Sequence, residues 1–287
     1  MPSILLPTLK IANAHERDES LLFDEPSHKY TIITDPDSSY TSVTTFNHHH
    51  FPKFDAVGTI EKMMKGKNWN PDNKYWGLTS EQIQEQWAEN GKAVSGAGTD
   101  LHYDIECFMN QPVPNATHQT LLNYFEANHP EYVNESIEWQ YFMYFVKSFP
   151  ELKPYRTEWM IYDEDLKLAG SIDMVYENPE TGVLTIFDWK RAKEISKTNG
   201  WGKSATTECI NHLPDSNFWH YSLQLNTYKK ILQTKYGKTV NELYLVRLHP
   251  NNKRGTYDLI KCADLSQEVD DLFAMRRSEV GSLVGSH

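Results

Sequence analysis

The side chains best suited to chemistry fall between Glu158 and Lys190. Glu158 sits in an apolar run, Gly170-Ser171-Ile172-Asp173 follows, and Ile186-Phe187-Asp188-Trp189-Lys190 closes the stretch. Strand alternation puts Leu184, Ile186, Asp188 and Lys190 on one face, with Val183, Thr185, Phe187 and Trp189 on the other. The turn residues Asn178-Pro179-Glu180-Thr181-Gly182 predict a hairpin that folds residues 172–176 back beside that strand and carries Asp173 towards Asp188. Two carboxylates and an ammonium then share one small volume. Paired carboxylates hold hard divalent cations through oxygen, and such a cation acidifies water. A lysine alongside orients or deprotonates that water, or offsets charge that grows on a phosphate. The set therefore points to phosphodiester hydrolysis. Taken singly, each fragment also reads as an acidic strand end or a turn cap.

Two helices must position this set. In Gly98-Thr99-Asp100-Leu101-His102-Tyr103-Asp104-Ile105-Glu106, the apolar positions Val94, Leu101, Ile105 and Phe108 predict a buried stripe. His102 and Glu106 lie four apart on an adjoining face. Gly98, one turn before His102, is expected to allow close packing. Downstream, residues 219–228 read as a second helix, with His220, Gln224 and Tyr228 on a line at spacing four.

In this order the motifs resemble the PD-(D/E)XK nuclease superfamily, in the branch of RecB-type and mitochondrial genome maintenance exonucleases. The residues that carry the resemblance are Gly98, Thr99, His102 and Glu106, then Glu158, Gly170 and Asp173, Asp188 and Lys190, and finally Gln224 and Tyr228. They span about half the chain. The proline of the family name is absent, since Ile172 precedes Asp173. The resemblance implies a restriction-endonuclease-like α/β core, with a central mixed β-sheet of about five strands flanked by helices and an N-terminal helical region. It implies one or two Mg2+ or Mn2+ ions held by Asp173, Asp188, the Trp189 backbone carbonyl and His102. Lys190 would position and activate water. Glu158 would serve a second metal or an outer position, and Gln224 and Tyr228 would support Lys190 or hold a substrate phosphate. For His102 the plain alternative is a hydrogen-bonded core histidine. For Glu106, Tyr228 and His220, packing and hydrogen bonding outweigh direct chemistry.

The implied activity is metal-dependent exonucleolytic cleavage of DNA, from the ends of single strands, in replication, repair or recombination. The alternatives are a PD-(D/E)XK endonuclease acting on structured DNA or on RNA, and an inactive nucleic-acid-binding module. Retention of Asp173, Asp188 and Lys190 together argues against the last. The resemblance also has a viral or phage flavour. Ser42-Val43-Thr44 at a helix start would place Ser42 and Thr44 for substrate phosphate, although simple capping accounts for Ser42 as well. Arg191, Lys193 and Tyr228 are further candidate substrate contacts. Trp69, Tyr75 and Trp76 sit in a loop expected to stack on bases within a helical arch that a strand end must thread.

Composition sets outer limits. The 287 residues, 39% hydrophobic, can bury one substantial core. No run is apolar enough to span a membrane, and Met1-Pro2-Ser3-Ile4-Leu5-Leu6-Pro7 is not a secretory leader. Three scattered cysteines, Cys107, Cys209 and Cys262, suit free thiols in a reducing intracellular compartment and leave no four-cysteine iron–sulfur site. Net charge is -11, unusual for a nucleic-acid enzyme, and it is unevenly placed. Residues 1–150 carry ten basic and twenty acidic side chains; residues 151–287 carry eighteen and nineteen. A basic run, Lys190, Arg191, Lys193, Lys197 and Lys203, follows the candidate site directly and can bind phosphate locally. The His48-His49-His50 run reads as a polar helix end, because three consecutive residues cannot face one ion from a helix. The expected organisation is a tail at 1–20, a mainly helical region at 21–150 that supplies the His102 helix, and a catalytic core at 151–287.

Overall fold

The computed structural model of the protein describes residues 5–284. In chain order, α1 (Thr8–Ala12) leads through a 3-10 turn (Glu16–Ser20) to the antiparallel hairpin of β1 (Leu21–Asp24) and β2 (Lys29–Ile32). The two-residue β3 (Thr41–Ser42) runs into α2 (Val43–His49), followed by α3 (Ala56–Met64) and the 30-residue α4 (Ser80–Met109). Helices α5 (His118–Asn128) and α6 (Ile137–Ser148) precede three long strands, β4 (Lys153–Asp163), β5 (Leu168–Glu177) and β6 (Leu184–Lys190). Then come α7 (Asn217–Lys235), β7 (Val240–Arg247), β8 (Asp258–Lys261) and α8 (Ser266–Val284). The chain is thus α/β, with a mixed six-stranded sheet flanked by helices. The sixth strand, β3, is the one the pattern of the sequence did not show. Two residues carry no periodicity.

The chain divides into two units. One comprises the residues up to Pro52 together with those from His102 onward; the other is Lys53–Leu101. In the second unit α4 runs unbroken through Ser95-Gly96-Ala97-Gly98. Val94 is exposed rather than part of a buried stripe. A side chain at Gly98 would meet nothing within 4 Å among the described residues, so this glycine serves no close contact. The aromatic loop of this unit packs on itself, with Trp69 and Trp76 ring centres 5.6 Å apart and the Trp87 indole donating to the Tyr75 hydroxyl at 2.8 Å.

In the first unit, alternation along β6 assigns the faces as expected. Ile186 joins the aliphatic core under α7, with Trp159, Leu223 and Leu232. Phe187 and Trp189 point the other way, against Phe145 of α6 at 5.8 and 5.5 Å. Helices α2 and α8 pack on α7, so one face of the sheet is covered by three helices. The segment before β1 is fastened to this core. Asn110 accepts from the Leu9 N–H at 3.0 Å, and buried Asp18 pairs with Arg156 at 2.7 Å while accepting from the Trp159 indole at 3.0 Å.

Strand pairing explains where an active site could form. β4 runs antiparallel along one edge of β5 for nearly its whole length. The other edge is shared. β3 pairs in parallel only with Leu168 and Ala169, and β6 pairs only with residues 174–177. Between these, Gly170, Ser171, Ile172 and Asp173 have no strand partner on that edge. Here β5 and β6 splay apart, while β6 stays paired with β7 in parallel as far as Lys190 and Arg247.

Candidate active site

The fork between β5 and β6 gathers the acidic residues. Where the ladder lapses, the Asp173 carboxylate takes over from a backbone carbonyl and accepts from the Trp189 N–H at 3.0 Å. An amide orphaned by the splay is thereby satisfied. From β4, Glu158 lies opposite Asp173 and accepts a hydrogen bond from the Ser171 hydroxyl at 2.9 Å. Its backbone is left-handed, with φ +40°, in the middle of a strand. That conformation is costly for a residue with a side chain and persists only where the surroundings enforce it. Here the flanking Arg156 and Trp159 are both clamped by Asp18.

From the last third of α4, His102 completes the cluster. Its Nδ1 is 3.7 Å from both Glu158 Oε1 and Asp173 Oδ2. Its Nε2 is 3.0 Å from the Trp189 carbonyl oxygen. Burial works against charging this imidazole, but Asp173, Glu158 and Asp188 outweigh it and raise its pKa to about 9. Glu106, one turn further along α4, is raised to about 7 by burial and by the charge of Glu158. A cavity of about 370 Å3 opens beside these two carboxylates, lined also by Asn110, Arg156 and Met160.

Asp188 and Lys190 project side by side from β6, as the alternation requires. Asp188 is buried, and its Oδ2 is 2.6 Å from Lys190 Nζ. Burial, with Asp173 beside it, pushes the Asp188 carboxyl up to about 6 against the opposing pull of Lys190. Burial likewise raises Asp173, opposed by His102 and Lys190. Burial alone would lower Lys190, yet Asp188 and Asp173 together hold it above the ordinary lysine value. Lys190 Nζ also sits 4.6 Å from the centre of the Tyr221 ring, a cation–π contact.

Tyr221 was not legible as a site residue, although a signal existed. A line of residues at spacing four, His220, Gln224 and Tyr228, drifts by about 80° over eight residues at 100° per residue, whereas 221 and 228, seven apart, differ by about 20°. Accordingly Tyr221 faces Lys190, while His220 turns away to pair with Asp215 at 2.9 Å and to stack on Phe51 at 4.0 Å. Gln224 donates to the Tyr228 hydroxyl at 3.2 Å. Tyr228 lies against Gly170, where an added Cβ would come within 2.8 Å of its ring. Their hydrogen bond and the packing of Tyr228 on Gly170 support the fork itself.

The remaining expected substrate contacts are dispersed. The Ser42 hydroxyl is engaged as the cap of α2, accepting from the Thr45 N–H at 3.0 Å and donating to its Oγ1 at 2.8 Å. Thr44 lines a cleft of about 640 Å3 with Phe23, Tyr30 and Tyr40. Arg191 is committed to Glu138 of α6, at 2.7 Å, and Lys193 is exposed. Trp76 is exposed within the second unit.

His102, Glu158 and Asp173 offer ligand atoms that all lie within 4.8 Å of one another. With Asp188 and the Trp189 carbonyl, the donor set is nitrogen and oxygen with no thiolate. It could hold a hard or borderline divalent ion such as Mg2+ or Mn2+, and it offers no soft ligand for Cu+. The three cysteines are free and none enters the cluster. No described helix is long and apolar enough to cross a membrane. Compared with known proteins, the chain matches no family model and no curated protein.

Proposed function

We infer that this protein is a divalent-metal-dependent nuclease of the restriction-endonuclease-like type, cutting DNA from the ends of single strands. The observation that carries this reading is the fork of β5 and β6, where His102, Glu158 and Asp173 converge next to the Asp188–Lys190 pair. Acidic clusters on strand ends are common. Buried Asp188 with half-buried Asp173, His102 and Lys190 around it is a different matter, because withdrawing such charges from water costs several kcal/mol per ion before compensation.

His102, Glu158, Asp173 and Asp188, with the Trp189 carbonyl, would hold the cation. When bound, the cation supplies positive charge for a phosphate oxygen and lowers the pKa of water. Lys190, kept as an ammonium by its acidic neighbours, can donate to a phosphate oxygen and offset charge as the P–O bond breaks. Hydrolysis joins the water oxygen to phosphorus and delivers its proton to the departing sugar oxygen. Tyr221 holds Lys190 in place through its ring face. Asp173 accepts from the Trp189 N–H, which holds its carboxylate against the end of β6.

End-labelled single- and double-stranded DNA and RNA, incubated with and without Mg2+ or Mn2+, test the activity. Asp188→Asn should abolish cleavage with the melting curve retained. Lys190→Ala should lose on the order of 100-fold or more. Near-wild-type turnover of Lys190→Ala in excess magnesium would sink the assignment. Dependence on ends is read from a linear single strand against a closed circle of the same sequence. The linear strand should be degraded and the circle spared; equal rates would make the protein an endonuclease.

A further inference from the structure

The segment joining Lys190 to α7 presents a bare indole on a loop that is otherwise tied down. Trp201 is 77% exposed, the highest value for any large apolar side chain among the described residues. Its loop is tightly braced. Asn199 Oδ1 accepts from the N–H groups of Trp201 and Lys203 at 3.1 and 3.0 Å, and Asn199 Nδ2 donates to the Lys203 carbonyl at 2.6 Å. Gly202 supplies the left-handed turn, with φ +64°. The Lys203 carbonyl also accepts from the Asp215 N–H at 2.9 Å, and Ser204 pairs with Pro214.

The same loop is anchored to the start of α7. The Trp219 indole donates to the Lys197 carbonyl at 2.9 Å, and Asn217 Nδ2 donates to the Glu194 carbonyl at 2.7 Å. Two residues beyond Trp219, Tyr221 carries Lys190 over its ring. The exposed indole is thus mechanically coupled to the helix turn that supports the candidate catalytic lysine. Lys193, Lys197 and Lys203 are exposed on the loop, and Glu194 is its one exposed carboxylate between Arg191 and Lys203. An indole held outwards forgoes the gain of burial.

An outward aromatic face on a braced loop that also carries exposed lysines, with Lys197 Nζ 4.6 Å from the Phe218 ring, matches one ligand chemistry, an unstacked base with its phosphates. Base–aromatic stacking is tolerant of sequence and does not need a broadly basic protein. Bases inside a duplex are already stacked and offer no free face. We propose that Trp201 is a base-stacking site for single-stranded nucleic acid, with Lys197 and Lys203 as its phosphate contacts. This deepens, and rests on, the nuclease reading of the adjacent site.

Binding of a fluorescent oligothymidylate to the full chain, followed by anisotropy in EDTA so that nothing is hydrolysed, tests it. Trp201→Ala should weaken binding about tenfold, and Trp201→Phe should retain most of it. An abasic strand of equal length should bind wild type and Trp201→Ala alike. Replacing Lys197 and Lys203 by Gln should lower the salt dependence of binding by about one phosphate contact each. Unchanged affinity in Trp201→Ala, or an equal loss on the abasic strand, overturns the proposal and leaves the indole for a protein partner. The two readings separate cleanly. A wild-type protein that binds the strand through Trp201 but cuts nothing refutes the nuclease and not the stacking site. Cleavage with indifferent Trp201 variants does the reverse.

Discussion

Glu158 holds a left-handed backbone, φ +40°, inside β4, where a residue with a side chain loses about 1–2 kcal/mol relative to the right-handed regions. The strain sits on the residue that faces Asp173 and His102, and Asp18 clamps the strand on either side of it. Glycine pays no such penalty. Glu158→Gly should therefore be more stable than Glu158→Ala by about 1 kcal/mol, the reverse of the usual order in a strand. Urea midpoints of the two variants check this, and an alanine variant equal to or firmer than the glycine one would show that the backbone is unstrained. Both variants should be inactive, since each removes a carboxylate from the cluster. Nothing in the sequence around Glu158 announces this conformation, because it comes from the fit of β4 between Asp18 and β5.

At the scale of elements, the decisive contact is that of α7 with β5. Gly170 is present because Tyr228 lies where its side chain would be, 2.8 Å from an added Cβ, with Val43 at 3.3 Å on the neighbouring helix. Gly170→Ala should push Tyr228 and α2 apart and cost about 1–3 kcal/mol. In a Tyr228→Ala background the same substitution should cost much less, giving a coupling that a double-mutant cycle measures by chemical denaturation. Additive losses would mean that the glycine is needed for another reason. The Gly-x-x-Asp spacing was visible in the sequence. Its partner was not, since the meeting of residues 170 and 228 is a property of how a helix crosses a sheet. The opposite holds for α2, whose start at Ser42 followed from local hydrogen bonding and is as the sequence indicated.

For the molecule as a whole, two buried neutral histidines set the acid limb of stability. His118 is fully buried, with its Nε2 2.8 Å from the Tyr176 hydroxyl, and burial lowers its pKa to about 4. His50, near Thr207 at 2.9 Å, is also lowered to about 4, chiefly by burial. Unfolded, both would titrate near 6.5. Between these values the unfolded chain binds more protons than the folded one, so stability is fully present above about pH 6.5. It falls as the pH drops towards 4, by on the order of 3 kcal/mol for a fully buried histidine. Urea unfolding of wild type at pH 7.5 and pH 5 should show this decline, and His118→Gln should flatten it. An equal slope in His118→Gln would show that His118 is charged in the folded state.

The sequence by itself determined what depends on near neighbours along the chain. Alternation in residues 184–190 placed Asp188 and Lys190 on one face and Trp189 on the other, the turn at 178–182 joined β5 to β6, and helical spacing set His102 and Glu106 on one face of α4. These follow from the two-residue and 3.6-residue periods, which a side-chain pattern records directly. Tertiary structure alone decided what depends on two elements at once. The splay of β5 from β6 arises because β3 occupies the other end of the same β5 edge, and this frees the Trp189 N–H for Asp173. The docking of residues 8–20 on β4 and the approach of Tyr221 to Lys190 have the same origin. Such contacts join positions as many as 145 residues apart, and no local period encodes a distance of that kind.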